Sequence, residues 1–135
     1  MVTQVANSNA IPITNIVGLT RISNSTPQAL NCNFAHRFVQ TNRVTAATTF
    51  VFTNTAEGQE YSLIVPGEAS GGTSRVITLI PTLGNLVANL DVFGTALATS
   101  MTLTLTNGNA VEISGKVNNF LGTNIVSFVT RQYSL

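Results

Sequence analysis

Cys32 and His36 are the only cysteine and histidine in the chain, and their types could support chemistry. A thiol beside an imidazole can act as nucleophile and base, and both side chains bind zinc. In an extended strand, however, residues four apart lie roughly 13 Å from each other, too far for a hydrogen bond. A structural zinc site needs four ligands, and this pair supplies two. We therefore expect neither catalysis nor metal binding: Cys32 is interpreted as a small buried apolar residue, and His36 as a surface, interface or hydrogen-bonded core residue.

The carboxylates offer no better catalytic arrangement. Glycoside hydrolysis requires a pair of carboxylates. Glu57 and Glu60 flank a predicted loop, and Glu68 lies in the next predicted loop. We interpret all three as solvated loop charges. Gly71-Gly72 lacks the lysine and helix of a phosphate-binding loop, and no Gly-x-Ser-x-Gly motif occurs. The sequence thus predicts a protein that is not an enzyme and has no catalytic residue, cofactor or metal; its binding residues remain unknown.

The basic residues do not form a cluster along the chain. Net charge is +1, and only Arg37 and Arg43 lie close together among the six cations. Nucleic-acid binding requires several clustered phosphate contacts, so this function is disfavoured. The Asn24-Ser25-Thr26 sequon is interpreted as a turn that leads into Pro27. The first residues do not show the basic segment followed by an apolar segment that is typical of a signal peptide. No uncharged run is apolar enough to insert into a membrane, so we expect synthesis in the cytoplasm.

The composition indicates a neutral polar surface. Hydrophobic residues make up 44% of the chain, but charged residues make up only 8%, against about 25% in ordinary globular proteins. Thr, Asn and Ser supply about a third of the residues. A surface of this kind lacks the charge repulsion that keeps small proteins apart. We interpret this as a sign of assembly, with a neutral soluble domain as the alternative.

Runs rich in β-branched and aromatic residues, bounded by turn signals, predict strands along most of the chain, and Met101–Thr106 alternates strictly between apolar and polar residues. Two hairpins are expected: one joins Thr48–Thr53 to Gln59–Val65, and the other joins Met101–Thr106 to Ala110–Ser114 through the favourable turn Asn107-Gly108. Further strands are predicted over Arg75–Ile80, Asn119–Leu121 and Asn124–Val129. Leu83–Leu97 is ambiguous, because its apolar spacing fits a short helix over Leu83–Leu90 while its Asn, Asp and Gly residues oppose one. We assign the region after Asp91 to strand.

These elements predict an all-β fold. We expect a single β-sandwich of jelly-roll type over residues 11–135, with roughly 7–9 short antiparallel strands. Residues 1–10 are predicted to be an extended N-terminal arm, which either frays or adds a strand to a neighbouring subunit.

Two stretches carry a resemblance to a known class of proteins. Residues 44–65 place a strand ending in Thr-Asn before a polar loop with Gly58 and a strand starting near Tyr61; residues 115–126 are similar to closing strands. This pattern resembles bacteriophage fibre and virion-decoration proteins. The resemblance implies a virion structural protein, homo-oligomeric as a dimer or trimer and attached to other virion proteins of a head or tail. It implies no catalytic residue.

Three functions therefore remain open. The first is a non-enzymatic virion subunit of fibre, spike or decoration type. The second is a glycan- or receptor-binding β-sandwich module, whose partner could be a host surface glycan. The chain has no Trp, and Tyr133 is its freest aromatic residue. The third is a shell-forming capsid protein, which would need a basic inner face that six scattered cations do not supply.

Overall fold

The computed structural model describes residues 19–22, 27–94 and 96–135. This part of the chain contains ten strands in two sheets and no helix, so the prediction of an all-β fold is confirmed. With no helix among these residues, none is available to span a membrane. The predicted arm at residues 1–10 and the Asn24-Ser25-Thr26 sequon lie outside the described residues.

The strands vary from four to twelve residues in length. In chain order they are β1 (Leu19–Ile22), β2 (Gln28–Asn31), β3 (Arg37–Gln40), β4 (Thr48–Thr53), β5 (Glu60–Pro66), β6 (Arg75–Ile80), β7 (Leu86–Asn89), β8 (Met101–Leu105), β9 (Asn109–Phe120) and β10 (Thr123–Ser134). The last two are long, whereas short strands were predicted throughout.

The chain alternates between the two sheets from β1 to β8. One sheet has six strands in the order β1-β3-β5-β9-β10-β7, and the other has four in the order β2-β4-β6-β8. Because each connection crosses to the opposite sheet, β1, β3 and β5 run parallel, as do β2, β4 and β6. The prediction of antiparallel strands is therefore wrong for these pairs. It holds for β5 with β9, β9 with β10, and β6 with β8.

Both predicted hairpins are wrong, and for the same reason. β4 and β5 lie in different sheets, as do β8 and β9. An alternating pattern shows which side chains of a strand are buried. It does not show whether two strands pair within one sheet or face each other across the core, because both arrangements give the same alternation. Asn107-Gly108 does form a hydrogen-bonded turn, in which the Asn109 N–H donates to the Thr106 carbonyl at 3.1 Å. Only Gly108 has a positive φ, 82°, so the type I′ turn of a two-residue hairpin is not formed.

The hairpin that does form joins β9 to β10. Their register runs without interruption from Asn109 opposite Ser134 to Phe120 opposite Thr123. The loop is Leu121-Gly122, and both residues have positive φ, 52° and 82°. The predicted strands Asn119–Leu121 and Asn124–Val129 are thus the ends of two longer strands at this turn.

The Leu83–Leu97 region contains a strand instead of a helix. β7 pairs in parallel with β10, and the residues from Leu90 to Gly94 form turns. Ala98 makes an isolated bridge to Val87, and regular strand resumes only at Met101. The assignment of strand directly after Asp91 is therefore wrong. The poor helix formers Asn85, Asn89 and Gly94 outweigh the apolar spacing.

A shared apolar core joins the two sheets in a sandwich-like arrangement. Phe52 of the four-stranded sheet packs against two rings of the six-stranded sheet: Phe38, with centroids 6.5 Å apart, and Phe128, at 5.5 Å. All three side chains are buried. The largest fully buried side chains around them are Leu30, Phe50, Leu63, Ile77, Leu79, Leu105 and Ile113.

Three loops cross between the sheets at one end of the molecule, which we call the arch end: residues 32–36, 54–59 and 81–85. Side chains tie the last two loops together. Thr82 donates from its hydroxyl to the carbonyl of Phe52, and its Oγ1 lies 2.7 Å from Oγ1 of Thr55. Asn85 donates to the same Thr55 hydroxyl at 3.2 Å. The arch end is therefore held by hydroxyl and amide groups instead of charges.

Gly115 leaves room for the central aromatic contact. It lies opposite Phe128 in the register, and a Cβ added there would meet Cε1 of the Phe128 ring at 2.8 Å. Because Phe128 is fully buried against Phe52, the ring has no free space to move into. Glycine at this position allows the ring to lie over the backbone of β9.

Gly115→Ala is expected to lower the free energy of unfolding by about 1–3 kcal/mol, since it overpacks the core. Elsewhere in a strand, replacing Gly by Ala usually stabilises. Urea denaturation measures the effect, with Ser114→Ala as the control because Ser114 is exposed on the same strand. Equal stability of the two variants would contradict the packing argument.

Candidate assembly interface

The outward side of the four-stranded sheet is uncharged. Along its strands, apolar side chains such as Phe50, Ile77 and Leu105 point into the core, so the alternate residues point out. We call the outward set the neutral face; it consists of Ala29, Asn31, Thr49, Val51, Thr53, Val76, Thr78, Ile80, Thr102 and Thr104. It contains no Lys, Arg, Asp or Glu.

The register aligns the neutral face into rows. Thr49, Thr78 and Thr102 are successive partners across β4, β6 and β8. Val51 and Ile80 are partners in the next row. Such β-branched side chains are stiff and fit a pleated surface well, so they lose little rotamer freedom on contact with another surface.

The outward side of the six-stranded sheet differs sharply. Five charged residues project from β3, β5, β9 and β10: Arg37, Glu60, Glu112, Lys116 and Arg131. Glu112 and Arg131 are direct partners across β9 and β10, and Lys116 lies 4.0 Å from Glu60. Exposed pairs of this kind contribute little stability but keep a surface hydrated. Solvent therefore suits this side of the molecule better than the neutral face.

The edge strand β8 is partly covered by a side chain. Gln132 donates from Nε2 to the carbonyl of Thr104 at 2.7 Å and accepts the backbone N–H of Thr106 at 3.1 Å. Its amide thus imitates the pairing of one residue of a neighbouring strand. This limits strand addition at that end of β8, so the neutral face, more than this edge, is the surface left for contacts.

Apolar side chains are also exposed at the arch end. Phe34, in the loop after β2, is 75% exposed, and Leu83, in the loop after β6, is fully exposed. Phe120 and Leu121 at the β9–β10 turn are 63% and 92% exposed. Sequence reasoning did not identify these residues, because an exposed Phe or Leu looks the same in a sequence as a buried one.

Leu121 adopts a conformation that leucine usually avoids. Its φ of 52° lies in the left-handed region, where glycine and asparagine are common and branched side chains are strained. Two-residue turns with positive φ at both positions favour Asn-Gly. A fully exposed leucine in this position does not serve the turn, which points to a function for the side chain itself.

The Cys32 and His36 side chains have separate environments. Cys32 is buried and its sulfur donates to the carbonyl of Leu30 at 3.6 Å; burial raises the pKa of this thiol to about 12. A reactive cysteine needs a lowered pKa, so the environment opposes a nucleophilic role. His36 is exposed and packs edge-on against the Tyr61 ring, with centroids 5.2 Å apart. The interpretation of Cys32 as a small buried residue agrees with this placement.

The carboxylates do not converge. Glu57 and Glu60 are exposed at the arch end, whereas Glu68 lies in the loop between β5 and β6 and forms an ion pair with Arg75. A hydrogen bond from the backbone N–H of Thr73, together with Arg75, lowers the pKa of Glu68. Over residues 19–22, 27–94 and 96–135, no three His, Cys, Asp or Glu side chains form a group suited to a metal ion.

The two neighbouring cations of the sequence are also separated. Arg37 begins β3 at the arch end, while Arg43 follows that strand and donates to the carbonyl of Gly67 at 2.8 Å. They therefore lie near opposite ends of β3 and do not form a joint phosphate site. Tyr133, on β10, is 47% exposed and lies opposite Ala110.

Thiol labelling tests the environment of Cys32. A rise in pKa from 9.0 to about 12 lowers the thiolate population at pH 8 roughly a thousandfold, and burial blocks the reagent as well. We expect no measurable reaction with a thiol reagent in the folded protein and complete reaction in urea. Rapid labelling without denaturant would show that Cys32 is accessible and ionisable, contrary to this structure.

Comparisons with protein-family models, curated proteins and solved structures give no match to the chain. The function is therefore argued from the arrangement of its own residues. Two features stand out in that arrangement: the neutral face of the four-stranded sheet, and the exposed apolar residues of the arch end.

Proposed function

We propose that this protein is a non-enzymatic virion structural subunit, of fibre, spike or decoration type, that acts by self-association and attachment to a capsid or tail. The single observation that carries the proposal is the contrast between the two sheets. Among the side chains that the structure describes, one outward side bears five charged residues, and the other, the neutral face, bears none. A β-sandwich subunit exposed on a virion needs one hydrated side and one side for contact with its neighbours. The jelly-roll connectivity of this protein stays a prediction.

The chemistry of the neutral face favours contact with another copy. The centres of protein interfaces are depleted in Lys, Glu and Asp, and this face lacks all three. Two copies of an uncharged face do not repel each other electrostatically. Such a face also has no charge that would attract an oppositely charged partner of another kind. Self-association through it would bury Val51, Val76 and Ile80 together with the methyl groups of the threonine rows.

The segments that resemble virion fibre and decoration proteins are neighbours in the fold. Residues 44–65 include β4 and β5, and residues 115–126 include the β9–β10 turn. β5 and β9 pair directly, with Lys116 opposite Glu60. The resemblance therefore concerns one connected part of the molecule. With it we propose a location in the virion and synthesis in the cytoplasm of the host cell.

A charge placed in the neutral face tests the proposal. Thr78 lies on the inner strand β6, at the centre of a threonine row, so Thr78→Lys puts an ammonium group where a copy would dock. We expect its dissociation constant for self-association to rise at least about tenfold, measured by sedimentation velocity.

Ser114→Lys is the matched control. Ser114 is exposed on the inner strand β9 and points outward from the charged side, so the variant adds the same charge to the opposite surface. It should associate like the unmodified protein, with both variants folded by circular dichroism. Equal association of Thr78→Lys and the unmodified protein would refute the role of the neutral face.

A glycan- or receptor-binding module is the second candidate, because Phe34, one of the exposed aromatic rings of the arch end, lies among amides. Phe34 stands beside Asn33, whose backbone N–H donates to Oδ1 of Asn31, and Asn54 donates to that same oxygen at 3.0 Å. An apolar ring surface flanked by amide groups can stack on a sugar and hydrogen-bond its hydroxyl groups.

A glycan array separates this candidate from the first. If the Phe34 ring binds sugar, Phe34→Ala is expected to abolish binding to every glycan on the array that the unmodified protein binds. The molar mass of the variant in solution should equal that of the unmodified protein. Phe93→Ala removes a more exposed ring from the turn after β7 and serves as the control. An array without a ligand for the folded protein would rule out glycan binding.

A further inference from the structure

The neutral face alone is too small for a stable assembly. Four strands about 4.8 Å apart, with about five residues of 3.3 Å each, cover roughly 19 Å by 17 Å, or some 300 Å² in projection. Stable interfaces bury about 800 Å² on each partner. If the protein self-associates as proposed, a second surface must contribute.

The β9–β10 turn has the form of such a second surface. β9 continues four residues past Lys116, the last residue that pairs with β5, so the turn projects beyond the neighbouring strand. Its end carries Phe120 and Leu121, both exposed. We call these two residues the apolar tip. The tip carries no charge, and the side chains of Asn119 and Asn124 hydrogen-bond across the hairpin at 2.9 Å just behind it.

A cleft that matches the tip lies at the same end of the molecule. It has a volume of about 340 Å³ and is lined by residues that include Ile80, Pro81, Leu83, Leu86, Thr99 and Ser100, none of them charged. An apolar cavity of roughly 150 Å³ accommodates benzene, so this cleft has room for the ring of a phenylalanine and part of a second side chain. Leu83, which is fully exposed, forms part of its wall.

We infer that the apolar tip of one copy inserts into this cleft of a second copy. The inference rests on the proposed self-association and adds a contact at the arch end that shares only Ile80 with the neutral face. It accounts for three observations together: the unfavourable φ of Leu121, the exposure of Phe120 and the exposure of Leu83. All three apolar side chains leave water in one contact, and neither side brings a charge that would need a partner.

The positions of tip and cleft allow the contact to be reciprocal. β10 begins at the tip and β7 begins at the cleft, and these strands are neighbours, with Ile125 opposite Leu86. Two copies that meet end to end about a two-fold axis between these strands place each tip opposite the other's cleft. An isologous contact of this kind closes a dimer and doubles the buried apolar area.

Leu121→Asn separates association from folding. It creates the preferred Asn-Gly turn and removes the strain of leucine at positive φ, so the monomer should unfold at an equal or higher temperature. Loss of the apolar side chain should weaken self-association at least about tenfold by sedimentation velocity. Phe93→Ser is the matched control, since it removes an equally exposed apolar side chain from the turn after β7 and should leave association unchanged.

Cross-linking tests whether the tip meets this cleft. A chain with Leu121→Cys is mixed with a chain carrying Thr99→Cys, because Thr99 is exposed and lines the cleft. We expect a covalent dimer of the two different chains to form under mild oxidation, and much less when Phe93→Cys replaces Leu121→Cys. The native Cys32 is buried and should not interfere.

The outcomes distinguish the two proposals. If Thr78→Lys dissociates the protein while Leu121→Asn does not, the tip inference is refuted and the neutral face stands. If Leu121→Asn weakens association and the cross-link forms, the inference is supported whatever Thr78→Lys does. If Leu121→Asn weakens association but no cross-link to Thr99→Cys forms, the tip binds elsewhere, and the cleft assignment is wrong.

Discussion

The contact of Phe52 with Phe38 and Phe128 is the constraint on which the rest of the structure depends. It fixes the two sheets at the distance of packed aromatic rings and decides which side of β4 faces inward. Once Phe50 and Phe52 point into the core, Thr49, Val51 and Thr53 must point outward. The neutral face is therefore a direct consequence of the way in which the core is packed. Gly115 in β9 has no side chain, which leaves space for the Phe128 ring to contact Phe52.

The same contact explains which features could be read from the sequence. β-Branched and aromatic residues identified β4, and strict alternation in Met101–Thr106 identified β8 and correctly placed its threonines on the outward side. These patterns could not identify the neighbouring strand, because β4 and β5 bury matching patterns toward one core from opposite sheets. Loops of five to eight residues between strands, such as 54–59 and 67–74, are long enough to cross to the other sheet. Pairing is a property of the assembled sheets that local sequence does not encode.

The candidate surfaces were predictable only in part. Low overall charge pointed to assembly, but the concentration of charged residues on one sheet emerges only when the strand order is known. The break between the predicted strands Asn119–Leu121 and Asn124–Val129 indicated a turn, but nothing in the sequence indicated that Leu121 would adopt a positive φ within it. The sequence did correctly indicate that Cys32 is a buried apolar residue, although this residue lies in the loop after β2 and not in a strand.

Two contact surfaces on each subunit would allow assemblies larger than a dimer. The neutral face lies on one side of the molecule, while the apolar tip and cleft lie at the arch end. The two surfaces share only Ile80, so one copy has both available for contacts. A closed end-to-end pair that also associates through its neutral faces extends into a larger assembly, as a fibre or a surface lattice requires. The charged side of the six-stranded sheet would then remain in contact with solvent.

The molar mass of the unmodified protein in solution tests this account most directly. Light scattering during size-exclusion chromatography, over a range of loading concentrations, should give a defined multiple of the 14.2 kDa chain, with larger species at higher concentration. A mass of one chain at every concentration, from a folded sample, would contradict the claim that this protein acts by associating with copies of itself.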